Sequence, residues 1–284
     1  MTNSSFLIFD RALQRRRRAR AFAREPADFL LARAADEILE RLGAVMRQFS
    51  SIADIGTPLP LLAARLAERY PAAQVTHLAP TGRADVMGDA ELLPFARDAF
   101  DLAVSALALQ DVNDLPGALA QIRRSLKPDG LFLGCLIGGA TLRELRAALA
   151  EAETDISGGV SPRVAPFADL RDMGGLLQRA GFALPVTDVE TLTVRYPHLF
   201  ALFADLRAMG ATNTLIERLK RPTRRALFLR AAEIYARDHA DADGRLRATF
   251  ELIFLSGWAP HESQQKPLKP GSGKIPLAEA LRKP

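Results

Sequence analysis

The chain has one cysteine, Cys135, which excludes an internal disulfide and a cysteine-based zinc site. It lies in an apolar stretch and reads as a small buried hydrophobe rather than a nucleophile. Histidine is almost as scarce: His77, His198, His239 and His261 are all there are. None has a second histidine at ligand spacing. Adjacent His261 and Glu262 therefore read as a hydrogen-bonded structural pair, and no facial triad for a redox metal emerges by spacing, so no metal site is expected. No apolar run reaches the roughly 18–20 residues of a bilayer span, so no integral membrane segment is expected. No secretory apolar core follows the N-terminus. The basic N-terminal segment contains Asp10 and no serine-rich stretch, which argues against a transit peptide. A cytoplasmic protein is the expectation.

Net charge is also missing from most of the chain. Residues 1–24 hold seven arginines (Arg11, Arg15–Arg18, Arg20 and Arg24) against one acid, Asp10, and the other 260 residues are close to neutral. A nucleic-acid enzyme would spread its cations along a groove with aromatics among them; apart from Phe22, none are interleaved here, so no nucleic acid is expected. The arginines are expected to form either a solvated helix face or a surface that docks onto an acidic protein.

What the 284 residues do contain is enough apolar material, 48%, for one substantial domain and an elaboration. The organising stretch runs from Gly88 to Gly134. Phe100–Leu109 is an apolar run of strand length, suited to a strand covered on both faces. Leu115, Ala118, Leu119, Ile122 and Leu126 repeat at helical spacing. Lys127-Pro128-Asp129-Gly130 stops that helix, and Leu131–Ile137 starts the next strand.

Upstream, Phe6–Ala23 predicts a helix with Asp10 at its N-cap, and Phe29–Val45 predicts a second, strongly amphipathic one. Ser51–Ile55 reads as the first strand, Leu61–Tyr70 as a helix and Gln74–Leu78 as the next strand. Downstream, Thr141 is placed to cap a helix reaching about Glu153, with Glu144 at capping-box spacing. Leu170–Ala180 predicts a helix closed by Gly181, Pro185–Tyr196 a strand, Leu199–Met209 and Thr223–His239 two helices, and Leu246–Trp258 a last strand. A short, weak helix is expected in the Pro-, Gly- and Lys-rich tail after Gln265.

The sequence Gly88-Asp89-Ala90-Glu91 with Leu93-Pro94-Phe95, then FDLAVS, then LKPDG, resembles the second half of a class I S-adenosylmethionine (SAM) methyltransferase domain of methyltransferase type 11. The resemblance implies an α/β, Rossmann-like class I methyltransferase fold: a mostly parallel twisted sheet with helices on both faces. It implies SAM as cofactor, with Asp89 and Ala90 beside the adenine, Ser105 at the end of the strand that faces the methyl-transfer pocket, and Asp54 and Gly56 in the glycine loop. That loop, D-x-G-x-G-x-G in the superfamily, reads Asp54-Ile55-Gly56-Thr57-Pro58-Leu59-Pro60 here. Pro58 and Pro60 lack the N–H and the freedom that glycine supplies. The ribose-binding acid expected about 20 residues later falls on His77, Leu78 or Ala79; Asp85 lies beyond a turn. Two of three usual contacts are thus absent, and weak SAM binding is expected.

Further blocks resemble a narrower family, the complex I assembly factors with a methyltransferase fold and their alphaproteobacterial relatives. These blocks are Ile8-Phe9-Asp10-Arg11, Gly138-Gly139-x-Thr141-Leu142-x-Glu144-Leu145-Arg146, Tyr196-Pro197 followed by Leu206-Arg207-x-Met209-Gly210, and Gly257-Trp258-x-x-His261-Glu262-Ser263-Gln264. The human member hydroxylates an arginine of a complex I core subunit, so the resemblance implies a protein substrate of that kind. Where the family commonly has His-Trp facing the pocket, this chain has Gln110-Asp111. Two alternatives stand beside this reading: a SAM-dependent methyltransferase of a small molecule or carrier protein, and a non-catalytic assembly factor. No catalytic residue is assigned. The expected division is N-terminal helices over residues 1–48, a methyltransferase-like core over 49–195, a C-terminal elaboration over 196–265 and a tail over 266–284, with any membrane association peripheral and through the partner.

Overall fold

A computed structural model describes residues 7–265. Seven strands form one sheet: β1 (Ser51–Ile55), β2 (Gln74–Ala79), β3 (Val86–Met87), β4 (Phe100–Ala106), β5 (Leu126–Ile137), β6 (Ala183–Tyr196) and β7 (Leu246–Trp258). Their order is β3-β2-β1-β4-β5-β7-β6. The first five are mutually parallel. β7 then runs antiparallel between β5 and β6. The helices are α1 (Arg11–Phe22), α2 (Phe29–Gly43), α3 (Leu61–Arg69), α4 (Leu115–Ser125), α5 (Arg143–Ser157), α6 (Leu170–Arg179), α7 (Leu199–Ala208) and α8 (Arg225–His239). This is the α/β arrangement expected from the sequence.

Strand alternation builds two cores, one on each face. Ile52, Leu102, Val104, Leu131 and Leu133 pack with the apolar stripes of α2, α3, α5, α7 and α8. Ala53, Ala103, Phe132 and Leu136, one residue out of phase, pack with α4 and α6. The strands are buried on both sides, which is why β4 and β5 read as continuous apolar runs rather than alternating ones.

Several boundaries differ from expectation for identifiable reasons. β4 ends at Ala106 rather than Leu109, because Leu107 takes a left-handed φ of 51° and Leu109–Asp111 forms a 3-10 turn. The LKPDG stretch lies within β5. α1 begins at Arg11; the residues before it bridge to another loop, through Phe9 and Leu215, and Asp10 caps α1 by accepting from the Leu13 N–H at 2.9 Å. The Thr141–Glu144 capping box does not form. Leu142, at φ 53°, is the N-cap of α5, Thr141 accepts from the Glu251 N–H at 2.9 Å, and Glu144 accepts from the Thr249 N–H at 3.2 Å. Both side chains tie α5 to β7 instead of closing its first turn.

β2 and β3 are parallel yet joined by only Pro80–Asp85, whereas a parallel crossover ordinarily takes a dozen residues or more and a helix. The link closes as a tight return: the Asp85 carboxylate accepts from the His77 N–H at 2.8 Å and the Asp85 N–H donates to the His77 carbonyl at 3.0 Å. No helix among the described residues is long and apolar enough to cross a membrane. The short helix expected after Gln265 lies outside the described residues.

Candidate functional site

The strand order reverses between β1 and β4, and ligands in open α/β sheets bind beyond the carboxyl ends of strands at such a point. The loop after β1 arrives there with its polar groups turned inward. Asp54 and Thr57 are fully buried. The Thr57 hydroxyl donates to the Asp54 carboxylate and accepts from the Ala106 N–H at 3.1 Å. Ser105 donates to the Ile55 carbonyl at 2.7 Å, and the His77 ring lies 3.0 Å from the Thr57 carbonyl. Burial pushes the Asp54 carboxyl up to about 6, against the opposing pull of His77 and Thr57. Its Oδ2 has no hydrogen-bond partner among the described residues and sits 3.9 Å from His77 Nε2.

Gly56 holds φ at 75°, and a Cβ there would lie 3.0 Å from the Ala108 Cβ and 3.7 Å from the Ala90 Cβ. Gly56 therefore leaves no room for a side chain of its own beside Ala108. Pro60 heads α3 with no side-chain cap bond.

The remaining cofactor position is engaged from the other side. Arg11 Nη2 sits 2.6 Å from Asp89 Oδ1 and Arg15 Nη1 3.3 Å from Oδ2, while the Glu91 N–H donates to Oδ1 at 3.1 Å. Burial pushes this carboxyl up, but the Glu91 N–H and the two guanidiniums outweigh it and hold it below the usual range. Asp54, Gly56, Ala90 and Ser105 thus lie together, and Asp89 is paired with α1. At these positions no carboxylate ends β2, Asp89 is paired with Arg11 and Arg15, and Pro58 and Pro60 stand where the superfamily has glycines.

α1 corrects a second expectation. Its arginines do not form one solvated face. Arg18 is buried and pairs with Asp111 at 2.5 Å, Arg11 also donates to the Asp111 carbonyl at 2.9 Å, and Arg17 donates to the Asn213 carbonyl. Only Arg16 and Arg20 of the run, with Arg15 in part, face solvent.

Beneath α1 opens a cavity of about 430 Å³. Pro58 and Leu59 after β1, Leu107 after β4 and Ile137 at the end of β5 form its floor; α2, α5, α7 and α8 supply apolar walls through Leu31, Leu145, Phe203 and Phe228. Arg163 on one side is held by Glu153, with Nη2 2.6 Å from Oε1 and Nε 2.9 Å from Oε2. Those hydrogen bonds, with those from Ser161, bring the Glu153 carboxyl down to about 2. Gln110 also lines the cavity; its Nε2 donates to the Leu107 carbonyl at 2.8 Å and its Oε1 has no partner among the described residues. The family resemblance puts Gln110 and Asp111 at a pocket, and both line this cavity; sequence reasoning missed the fastening of α1 over it. Its available signal was the i, i+4, i+7 spacing of Arg11, Arg15 and Arg18, which puts three cations on one helix face opposite Asp89 and Asp111. Among the described residues no group of three or more potential metal ligands is found.

Residues 57–134 match the family model described as "Methyltransferase domain". The similarity to curated proteins runs nearly end to end. The chain is 38% identical over 287 residues to "Arginine-hydroxylase NDUFAF5, mitochondrial" of Homo sapiens, covering 96% of this chain and 83% of that protein. The Danio rerio protein of the same name is 36% identical, covering 96% and 89%. The chain belongs to this arginine-hydroxylase family. A broader kinship extends to a "Malonyl-[acyl-carrier protein] O-methyltransferase" of Laribacter hongkongensis, 34% identical over 93% of this chain and 91% of that protein. Among solved structures, the YcgJ protein of Bacillus subtilis superposes with a TM-score of 0.53 at 16% identity, covering 81% of this chain and 99% of that one; that likeness concerns the fold alone. The family's methyltransferase fold is therefore present, with a cofactor loop that departs from the superfamily's pattern at Pro58 and Pro60.

Proposed function

We propose that this protein acts in respiratory complex I assembly, on an arginine of a soluble core subunit, and that it does so without tightly held SAM. The observation that carries the reading is similarity to arginine-hydroxylase relatives across 96% of the chain, rather than over the methyltransferase segment alone. The cavity at the carboxyl ends of β1, β4 and β5 supports a small-molecule binding role there, separate from the target arginine. Pro58 and Pro60 in the loop, and the pairing of Arg11 and Arg15 with Asp89, support the second half of the proposal. Methyl transfer to a malonyl carrier protein is the weaker alternative, since it would need the cofactor whose contacts are missing.

The test is peptide mass spectrometry on complex I core subunits from a strain with and without the gene. The expected result is an arginine peptide heavier by one oxygen that disappears on deletion and returns with the intact gene. Unchanged arginine peptides and unchanged complex I assembly in the deletion strain would refute the proposal.

A further inference from the structure

The charge balance of the cavity is uneven. Four arginines line it, Arg17, Arg18, Arg163 and Arg207, and its lining includes one acid, Asp111. Two of the four are neutralised: Arg18 by Asp111 and Arg163 by Glu153. Arg17 and Arg207 are in no ion pair among the described residues. Arg207 is exposed and well hydrated. Arg17 is half-buried, and its single described hydrogen bond goes to the Asn213 carbonyl.

The surroundings of Arg17 make its charge costly. Burial is the largest effect lowering its pKa, and Arg218, Arg20 and Arg16 repel it; Asp10 is the acid that helps, and Asp10 is itself paired with Arg218 at 3.3 Å. A partly desolvated guanidinium with donors to spare is a site for a carboxylate or phosphate. The rest of the cavity is a different environment. Leu31, Leu59, Leu145, Val164, Phe203 and Phe228 present hydrocarbon, and such a wall gains by covering apolar ligand surface.

We propose that this cavity binds an amphiphile with an apolar body and a single anionic head, the head held by Arg17. The ligand is distinct from the target arginine, whose guanidinium would meet Arg17 and Arg207 as like charges; this inference goes beyond the arginine-directed reading and does not rest on it. At ~30 Å³ per water-sized volume, the cavity's 430 Å³ holds roughly a dozen non-hydrogen atoms, which is the size of a ten-carbon carboxylate.

Calorimetry on the full chain with decanoate, decanol and decylamine tests this. Decanoate is expected to bind at least ~10-fold tighter than decylamine, with decanol between them, because a charge-assisted hydrogen bond is lost and then replaced by repulsion. Arg17→Gln is expected to bring decanoate to the affinity of decanol while leaving decanol unmoved. Arg17→Lys, which keeps the charge, is expected to retain most of the preference. Val164→Trp and Leu59→Trp, filling the cavity from two sides, are expected to weaken all three probes. Absence of decanoate binding, equal affinities for decanoate and decylamine in the wild type, or an Arg17→Gln variant that keeps the preference would each overturn the proposal. The complex I peptide assay is read independently, so an arginine modification that survives loss of decanoate binding leaves the functional reading standing.

Discussion

Asp54→Asn isolates the cost of keeping a buried carboxylate in the loop after β1. Asp54 is fully buried, one carboxylate oxygen accepts from Thr57, and the other has no hydrogen-bond partner among the described residues. Burial raises its pKa from 3.8 to about 6. A group whose folded pKa lies above its unfolded one binds protons more readily in the native state. The stability it contributes is therefore complete below about pH 4 and is lost as pH rises through 6. The shift corresponds to about 3 kcal/mol of destabilisation above pH 7, about half of that at pH 5 and little below pH 4. Asparagine removes the charge while keeping the shape. Urea melts of wild type and Asp54→Asn at pH 4, 5 and 8 are expected to show the variant gaining on the wild type by about 2 kcal/mol between pH 4 and pH 8. A difference between the two proteins that stays flat across that range would refute the assignment, whatever its sign at one pH. His77, 3.9 Å away, gives a control: His77→Gln should steepen the wild-type dependence by removing a group that lowers the Asp54 pKa.

Three other outcomes follow from the same geometry. Glu153→Gln breaks the bonds to Arg163 and Ser161 and is expected to cost roughly 3 kcal/mol at pH 7; since the folded pKa of about 2 lies below the ordinary 4.5, the cost should shrink as pH falls from 4.5 toward 2, as read by denaturant melts. Arg18→Gln, leaving Asp111 without its partner, should destabilise by about 3 kcal/mol, whereas Arg16→Gln and Arg20→Gln at exposed positions should each stay within ~0.5 kcal/mol; equal effects from all three would refute the division of α1 into an inward and an outward face. Calorimetry should give SAM binding weaker than conventional loops by about one to three orders of magnitude, from two or three missing hydrogen bonds of ~1–1.5 kcal/mol each. Pro58→Gly with Pro60→Gly should restore little of it while Arg11 and Arg15 hold Asp89, and low-micromolar SAM binding by the wild type would refute the reading.

Most of the fold was legible because its strands are buried on both faces and its turns are chemically marked. Ser51–Ile55 and Leu246–Trp258 were bounded as found. β4 was read three residues too long for an instructive reason: Leu107 and Leu109 stay apolar after the strand ends, Leu107 because it lines the cavity and Leu109 because it packs in the second core. Hydrophobicity reports burial and is silent about what does the burying. Likewise Glu144 has capping-box spacing, but a tertiary bond to Thr249 took it. The insertion of β7 between β5 and β6 leaves no local trace, because antiparallel pairing over that distance in sequence is set by which edge remains free.

The candidate site was half legible, and the missing half changes its meaning. The sequence exposes the loss of loop glycines and of the ribose acid, since those are deletions from a pattern. It does not expose what fills the space. Asp89 looked like an inherited cofactor contact, yet its carboxylate is occupied by two arginines 78 and 74 residues away, and Asp111 by a third. A run of seven arginines in a short segment reads as surplus charge until its helical phase is set against those two acids. Three of those arginines join the N-terminal helix to the cofactor rim, and Arg17 beside them is left without a carboxylate at the cavity. An N-terminal helix that in one arrangement would cover a cofactor is here fastened over a cavity by ion pairs. The pairs Arg11–Asp89, Arg15–Asp89 and Arg18–Asp111 thus act as one fastening, which joins α1 to the loops after β3 and β4.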